Sequence, residues 1–515
     1  MKKKKLWLLA LSCLILSSCV QTKNKTPNIE STASIEGTDV FKPNWESIAE
    51  NYQFPQWFKD AKFGIFIHWG LFSVPSYGSE WYPLNMYTKG SDAYNHHIKT
   101  FGPHTEFGYK DFIPLFKAEN FDADQWVDVV LASGAKYIVP VAEHHDGFAL
   151  YDSQVNPWNS VKMGPKKDFI QLLKDASQRK GLVFGLSSHR LENDWFFNGG
   201  LEFPSDVQDS TITLYGRRAQ REDYTPEIAK AWLEHTYELV DKYQPELIWF
   251  DWTVNHPEVV PYFNKFLAYY YNNALDWDKQ VVVNTKEGYP TNVQVWDVER
   301  GKSGNLMQYP WQTDTSVGKR AWGYIEGEDY KTSEQIVHDL VDIVSKNGNL
   351  LLNIGPKPDG TIPDEQKEVL YGIGNWLKIN GEGIYDTSPW IKYGEGSTTG
   401  TKGSFTDNQA TPYTTEDIRF TTKGNNLYVT VLSWGDNDIL VRSLEPKVIE
   451  NSKLLGVEML GSNEVIEWLE TQEGLKLKFP KAKPCEYAYT FKLRFDSPVG
   501  RHLEPEATNE TFKHG

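Results

Sequence analysis

Four apolar runs in this sequence each finish in side chains able to move a proton, attack a carbon or hold a polar ligand. They are Ile65-Phe66-Ile67-His68, Val139-Pro140-Val141-Ala142-Glu143-His144-His145-Asp146, Leu247-Ile248-Trp249-Phe250-Asp251 and Val295-Trp296-Asp297-Val298-Glu299. Carboxylates in such places suit nucleophilic or general acid–base work. The adjacent His144 and His145, flanked by Glu143 and Asp146 and joined by His68, look like a chelating cluster. Neighbouring residues on a strand point to opposite faces, however, so two adjacent His seldom ligate one ion unless the strand has just ended. Neither His-x-His nor His-Glu-x-x-His occurs.

The runs that carry these groups alternate with amphipathic stretches. Strands are expected at Phe63 to Trp69, Tyr137 to Ala142, Leu182 to Ser187, Leu247 to Asp251, Val281 to Asn284, Val293 to Val298 and Leu350 to Ile354. Helices are expected at Asp124 to Ser133, Asp168 to Lys180, Pro226 to Tyr243 and Ser333 to Lys346. Thr332 with Gln335 fits a capping box, and Pro226 after Thr225 suits a first helical turn. Such alternation predicts a parallel α/β fold, and its length favours a (β/α)8-like barrel over residues 43–393. In a barrel the strand ends converge on the C-terminal face, where chemistry is done, so the four polar run ends would meet there. After a Gly-, Ser- and Thr-rich break at Gly394 to Ser404, the period changes to two, at Leu427, Val429 and Val431 and again at Tyr489, Phe491, Leu493 and Phe495. Residues 405–497 therefore read as an antiparallel β-sandwich, and 498–515 as a disordered tail.

The 515 residues are 40% hydrophobic, 24% charged and 14% aromatic, enough for more than one core. A net charge of −16 offers no basic surface for a nucleic acid. Lys2 to Lys5, the short apolar run Leu6 to Leu16 and Leu16-Ser17-Ser18-Cys19 resemble a bacterial lipoprotein signal, with residues 1–18 removed and Cys19 lipidated. Residues 19–42 then form a flexible tether, and the protein is expected in the cell envelope, on the periplasmic or the outer-membrane surface. Loss of Cys13 and lipidation of Cys19 leave only Cys485, so no intramolecular disulfide or multi-Cys metal site can form.

Together, Phe63-Gly64-Ile65-Phe66-Ile67-His68-Trp69-Gly70, Ser79-Glu80-Trp81-Tyr82, Glu143-His144-His145-Asp146-Gly147-Phe148, Trp249-Phe250-Asp251 and Trp322-Gly323-Tyr324 closely resemble the α-L-fucosidases of glycoside hydrolase family 29. The resemblance spans residues 43 to 390 and includes the C-terminal β-sandwich. It implies an exo-acting, retaining hydrolase of fucosylated glycans without cofactor or metal. Asp251 takes the place of the nucleophile, whose glycosyl ester divides one hard step into two. Glu299 is the choice for the acid/base, with Glu80 as its rival and Asp297 as a weaker one. His68, His144 and His145 become binders of sugar hydroxyls, as neutral imidazoles with one donor and one acceptor each. Glu80 has a second possible role on a hydroxyl. Trp81 and Trp322 supply an apolar wall for the ring and its methyl group, a methyl burial being worth ~0.8 kcal/mol.

One departure stands out. Where many relatives carry Tyr-Tyr-Ser, this chain reads Gly185-Leu186-Ser187-Ser188-His189-Arg190, so a Tyr contact near the nucleophile is lost or replaced by His189 or Trp195. L-Galactose, which is fucose with a 6-hydroxyl, is thereby an alternative sugar. A metal-dependent hydrolase and a lipid-anchored sugar-binding protein are the other readings, the last opposed by the presence of both Asp251 and Glu299.

Overall fold

The computed structural model describes residues 39–508 except 222, 287–289, 399–401, 408–409 and 436. Cys19, the rest of the signal and most of the tether lie outside the described residues, as do residues 509–515. The described end of the tether is not free chain. Phe41 is buried against Tyr271, and its backbone exchanges two hydrogen bonds, of 2.9 and 3.0 Å, with the Asn272 side chain.

Eight parallel strands close a barrel: β1 (Phe63–Ile67), β2 (Tyr137–Glu143), β3 (Val183–Ser188), β4 (Leu247–Phe250), β5 (Val282–Thr285), β6 (Val295–Glu299), β7 (Trp311–Ser316) and β8 (Gly348–Ile354). Ile65 of β1 pairs with Leu352 of β8 and completes the ring. Sequence patterning anticipates seven of the eight. The missed one, β7, reads Trp-Gln-Thr-Asp-Thr-Ser and has no apolar run to find, yet all six residues are buried. Gln312 finds its partners inside the barrel, accepting from Tyr137 at 2.9 Å and donating to Asp297 at 2.6 Å. Gly64 lets Tyr137 fill the barrel floor, because a Cβ there would stand 2.3 Å from the Tyr137 ring.

The four expected helices form, with Thr332 accepting from the Gln335 N–H and Thr225 from Ile228 as N-caps. Among the helices that escape the sequence reading are two of 17 residues, Val260–Asp276 and Asp364–Asn380. No helix follows β5 or β6 among the described residues. The side of the barrel at the β6–β7 loop is covered instead by chain from beyond the barrel. Gly403 pairs with Lys302, while Thr508 lies beside Met307 and donates to the Leu306 carbonyl at 2.8 Å. Residues 498–508 are thus held against the fold at Val499, Glu506 and Thr508 rather than a disordered tail. Val499 is buried, and its carbonyl accepts from the Trp390 indole at 3.0 Å.

The C-terminal part has a five-stranded antiparallel sheet and a three-stranded one around a shared core. That core includes Phe420, Leu427 and Phe491 of the first and Ile439, Leu475 and Leu477 of the second. The boundary expected at residue 393 falls earlier. Ser388–Glu395 is already a strand of the larger sheet, paired with Ile418–Lys423; its mixed Ser-Pro-Trp-Ile-Lys-Tyr-Gly-Glu sequence lacks the clean alternation that marks its neighbours.

A buried ion cluster joins barrel and sandwich. Asp342, on the helix Ser333–Ser345, accepts from Arg419 at 2.6 Å and from Lys346 at 2.7 Å. Burial alone would raise the Asp342 carboxyl, but Lys346, Arg419 and Lys302 outweigh it and hold the group well below the usual carboxylate range. Removing one partner strands buried charge, at about 3–5 kcal/mol. Asp342→Ala is therefore expected to lower the denaturation midpoint sharply. Because the folded-state pKa is depressed, the wild type's advantage should be full at neutral pH and shrink as pH falls below about 4. Melts of both proteins across pH check this; a constant gap would contradict it.

Candidate active site

The C-terminal ends of the strands converge on a cavity of about 680 Å³. Its wall includes His68, Glu80, Trp81, His144, His145, Asp251, Glu299 and Trp322. Asp297 is not among the lining residues. It sits lower in the barrel, accepting from the Trp249 indole at 3.2 Å and from Gln312. Burial, the nearby Asp314 charge and a hydrogen bond with Asp314 push its carboxyl well above the usual range.

Asp251 follows the last residue of β4 and is the most heavily supported carboxylate of the site. Its Oδ2 is 3.0 Å from His189 Nδ1 and 3.3 Å from His145 Nε2, while Oδ1 accepts from the Trp252 N–H at 2.9 Å. Burial favours the neutral acid, but the His145 and His189 hydrogen bonds and the Lys286 charge more than reverse this. Asp251 stays ionised, well below the ordinary range. Of the two candidate replacements for the missing tyrosine, His189 is the one in contact with Asp251. Its Nδ1–H faces the carboxylate, its Nε2 is 3.1 Å from the Ser187 hydroxyl, and burial pulls it down to about 4, so the ring is neutral. Trp195 does not reach Asp251; it packs under the Arg221 guanidinium at 4.7 Å.

Glu299 ends β6 and has the opposite tuning. Its Oε2 accepts from the Trp252 indole at 2.8 Å and from Lys286 at 2.8 Å. Burial and the negative charges of Asp314 and Asp251 nevertheless outweigh the lysine and push its carboxyl up to about 7. Trp252 thus spans the two carboxylates, its backbone on Asp251 and its indole on Glu299. Glu80 is also raised by burial, but its Oε2 accepts from the backbone of Trp322 at 2.9 Å and Gly323 at 3.3 Å. It pins the turn that presents Trp322.

The histidines divide into two kinds. His68 is fixed by Asn353, with Nδ1 at 2.8 Å from Oδ1, and among the described residues His144 Nδ1 has no partner. Burial holds both rings well below their usual pKa, hence neutral. His145 differs from the reading as a neutral hydroxyl binder. Burial opposes its charge, but Glu192 and Asp251 raise it, and both nitrogens are engaged, Nδ1 on the His189 carbonyl at 3.0 Å and Nε2 on Asp251. It supports Asp251. The opposite-faces argument for His144 and His145 also fails, because β2 stops at Glu143 and both rings, 4.4 Å apart, turn into the cavity. His68, His144 and His189 bring one ring nitrogen each within 4.8 Å of one another, and His145, His189 and Asp251 do the same with two nitrogens and a carboxylate oxygen. Among the described residues these are the sets able to gather a metal; the Lys286 charge already beside Asp251 opposes a further dication in the second.

Glu143 and Asp146 of the same motif are structural. Burial would raise Glu143, but the Arg190 and His235 charges bring it down to about 2, and Arg190 is 2.6 Å away. Asp146 accepts from the Tyr109 hydroxyl at 2.6 Å. Trp81, 5.3 Å from the His145 ring, and Trp322, 5.2 Å from His68, are only partly buried and face the cavity. Lys286 is the residue sequence reasoning missed. It follows β5 at the end of Val281-Val282-Val283-Asn284-Thr285, so the rule that selects Asp251 would have selected it. Its Nζ stands 2.8 Å from Glu299 and 2.9 Å from Asp314. Asp314 lay beyond reach because its strand was not seen.

A family model described as α-L-fucosidase matches residues 29–382, and one described as α-L-fucosidase C-terminal domain matches 411–494. Plasma α-L-fucosidase of Homo sapiens is 35% identical over 471 residues, covering 88% of this chain and 92% of that protein. The Thermotoga maritima α-fucosidase in complex with a mechanism-based inhibitor is 32% identical, with a TM-score of 0.69, covering 88% of this chain and 100% of the other. The same enzyme in complex with fucose is 33% identical, with a TM-score of 0.68, covering 87% and 99%.

Lys286→Met leaves Asp314 and Glu299 buried without their cation and should cost about 3–5 kcal/mol of stability. Adding Asp314→Asn should recover part of that loss, because the stranded charge is gone. Denaturant titration of the two single variants and the double checks it; strictly additive losses would show that the pair is not the coupled unit described.

Proposed function

The chain belongs to the α-L-fucosidase family of glycoside hydrolases, and from that premise we propose that it removes terminal α-L-fucosyl residues from glycans by a retaining double displacement. One observation carries the assignment of roles: two carboxylates in one cavity are tuned in opposite directions. Asp251 is held ionised by His145, His189 and Lys286, as a nucleophile must be. Glu299 is pushed up to about 7, so near neutral pH it can hold a proton for the leaving oxygen and afterwards take one from water.

In the first step the Asp251 carboxylate attacks the anomeric carbon while Glu299 protonates the departing oxygen, giving a glycosyl ester. In the second, Glu299 deprotonates water, which releases the sugar and restores both groups. The mechanism-based inhibitor in the Thermotoga maritima relative supports a covalent route. Glu80 is less suited to the acid/base role, since Oε2 is committed to two backbone N–H groups. The neutral His68 and His144 rings are left to hydrogen-bond sugar hydroxyls, and Trp81 and Trp322 to cover apolar ring faces. Fucose bound to the same relative supports L-fucose over L-galactose, and an aryl α-L-fucoside assayed beside the aryl α-L-galactoside discriminates them.

The signal-like segment ending at Cys19 supports a lipid-anchored enzyme of the cell envelope. Among the described residues no helix is long and apolar enough to cross a membrane. Cys19→Ala should move the enzyme from the membrane to the soluble fraction with its activity intact; a soluble wild type would refute the anchor.

Asp251→Gly should lower turnover about a thousandfold or more on every α-L-fucoside. NMR of the first-formed wild-type product should find the α-anomer, and initial β-fucose would mean inversion. The kcat/KM profile should fall on its alkaline side near pH 7, where Glu299 loses its proton, and stay high down to the acid limb set by the strongly depressed Asp251. Glu299→Ala should abolish that alkaline limb, spare the first step for aryl leaving groups and respond to added azide. If Glu80→Ala behaves this way instead, the two roles are exchanged.

A further inference from the structure

The segment that links two neighbouring strands of the five-stranded sheet does more than connect them. Between the strands Ser388–Glu395 and Ile418–Lys423 it runs back over the barrel mouth, and Phe405 lines the active-site cavity. Three backbone hydrogen bonds fasten it to the end of β6 and the loop that follows: Phe405 to the Glu299 carbonyl at 2.9 Å, Thr406 to Arg300 at 2.8 Å and Gly403 to Lys302 at 3.0 Å. The approach is so close that a Cβ on Gly301 would lie 1.8 Å from the Gly403 carbonyl oxygen. Just beyond, the buried Asp407 carboxylate accepts from Lys331 and Thr315, and its carbonyl from Gln335 at 3.1 Å.

Within this fastened segment the side chain of Phe405 is left 58% exposed, and its backbone has φ 58°. A large non-glycine residue in the left-handed region is strained, and such strain persists only where the surroundings over-determine the backbone. Here they hold an aromatic ring open to solvent at the edge of a polar cavity. Its backbone partner is Glu299, the proposed acid/base, and the two residues line the same cavity.

Resting on the fucosidase reading above, we propose that Phe405 is a stacking platform for the leaving group, taking the apolar face of the pyranose or aryl ring to which the fucose is attached. The sandwich domain thereby contributes a specificity-determining residue to a site otherwise built by the barrel. Aromatic rings recognise sugars through the C–H face of the pyranose, which needs a flat, exposed surface and no charge. Phe405 meets both conditions.

The test compares two substrates with the same fucosyl part: α-L-fucosyl fluoride, whose leaving group has no ring, and a fucosyl-galactose disaccharide. The quantity read is the kcat/KM ratio of disaccharide to fluoride, which does not depend on the fraction of folded enzyme. In Phe405→Ala the ratio should fall about five- to tenfold, and in Phe405→Trp it should stay near the wild-type value or rise. An unmoved ratio in Phe405→Ala, or a loss as large in Phe405→Trp, would overturn the platform while leaving the fucosidase reading intact. A wild type inactive on both substrates would overturn the fucosidase reading itself and the platform with it.

Discussion

The mouth of the barrel depends on one buried cation. Asp251, Glu299 and Asp314 are all withdrawn from water, and carboxylates so close together cannot all stay ionised in a low-dielectric setting. Lys286 stands among them, in direct contact with Glu299 and Asp314 and within the field of Asp251. Burial opposes its charge, but these carboxylates together raise it well above the usual range, so it is a permanent cation. One lysine cannot neutralise all three acids. The remainder of the balance is struck locally: two histidines take Asp251, and Glu299 is left to carry a proton near neutral pH. The division of labour between nucleophile and acid follows from that electrostatic shortage.

The fold serves this arrangement in two layers. Strand ends deliver the charged groups, and shallow turns pinned to them deliver the flat ones. Glu80 fastens the Trp322 turn, and Trp252 bridges Asp251 to Glu299. Where the barrel has no helix after β6, the sandwich domain and the residues up to Thr508 close the gap, and the loop bearing Glu299 is held from outside by Phe405 and Thr406. The second domain is thus part of the support of the site, joined to the barrel through Asp342 and Arg419.

Much of this was legible in the sequence, because apolar runs that end in a polar group are rare and positional. That pattern located His68, Asp251 and Glu299 at strand ends, and the motif resemblance added Glu80, Trp81 and Trp322 to the same cavity. What escaped has physical causes. A strand such as β7, all buried yet mostly polar, carries no hydrophobic signal, so Asp314 is not legible in the sequence. Asp297 and Glu299 are two apart on β6 and share a face, yet only the later one rises to the cavity, a difference of depth that spacing cannot express. The upward shift of His145 depends on Glu192, which is remote in sequence from Asp251, and the exposed ring of Phe405 depends on a tertiary contact with β6.

The central claim is that one cavity holds an ionised Asp251 beside a Glu299 that titrates near neutrality. Infrared difference spectra of the wild type between about pH 6 and about pH 8, set against those of Glu299→Gln and Asp251→Asn, read the carboxyl protons directly. The account predicts a component of the protonated-carboxyl band that disappears across this interval in the wild type, is shifted to lower pH in Asp251→Asn, since a negative neighbour has gone, and is missing from Glu299→Gln, while the contribution of Asp146, which burial also pushes up to about 7, is common to all three. A wild type whose difference spectrum across the interval is the same as that of Glu299→Gln would contradict it.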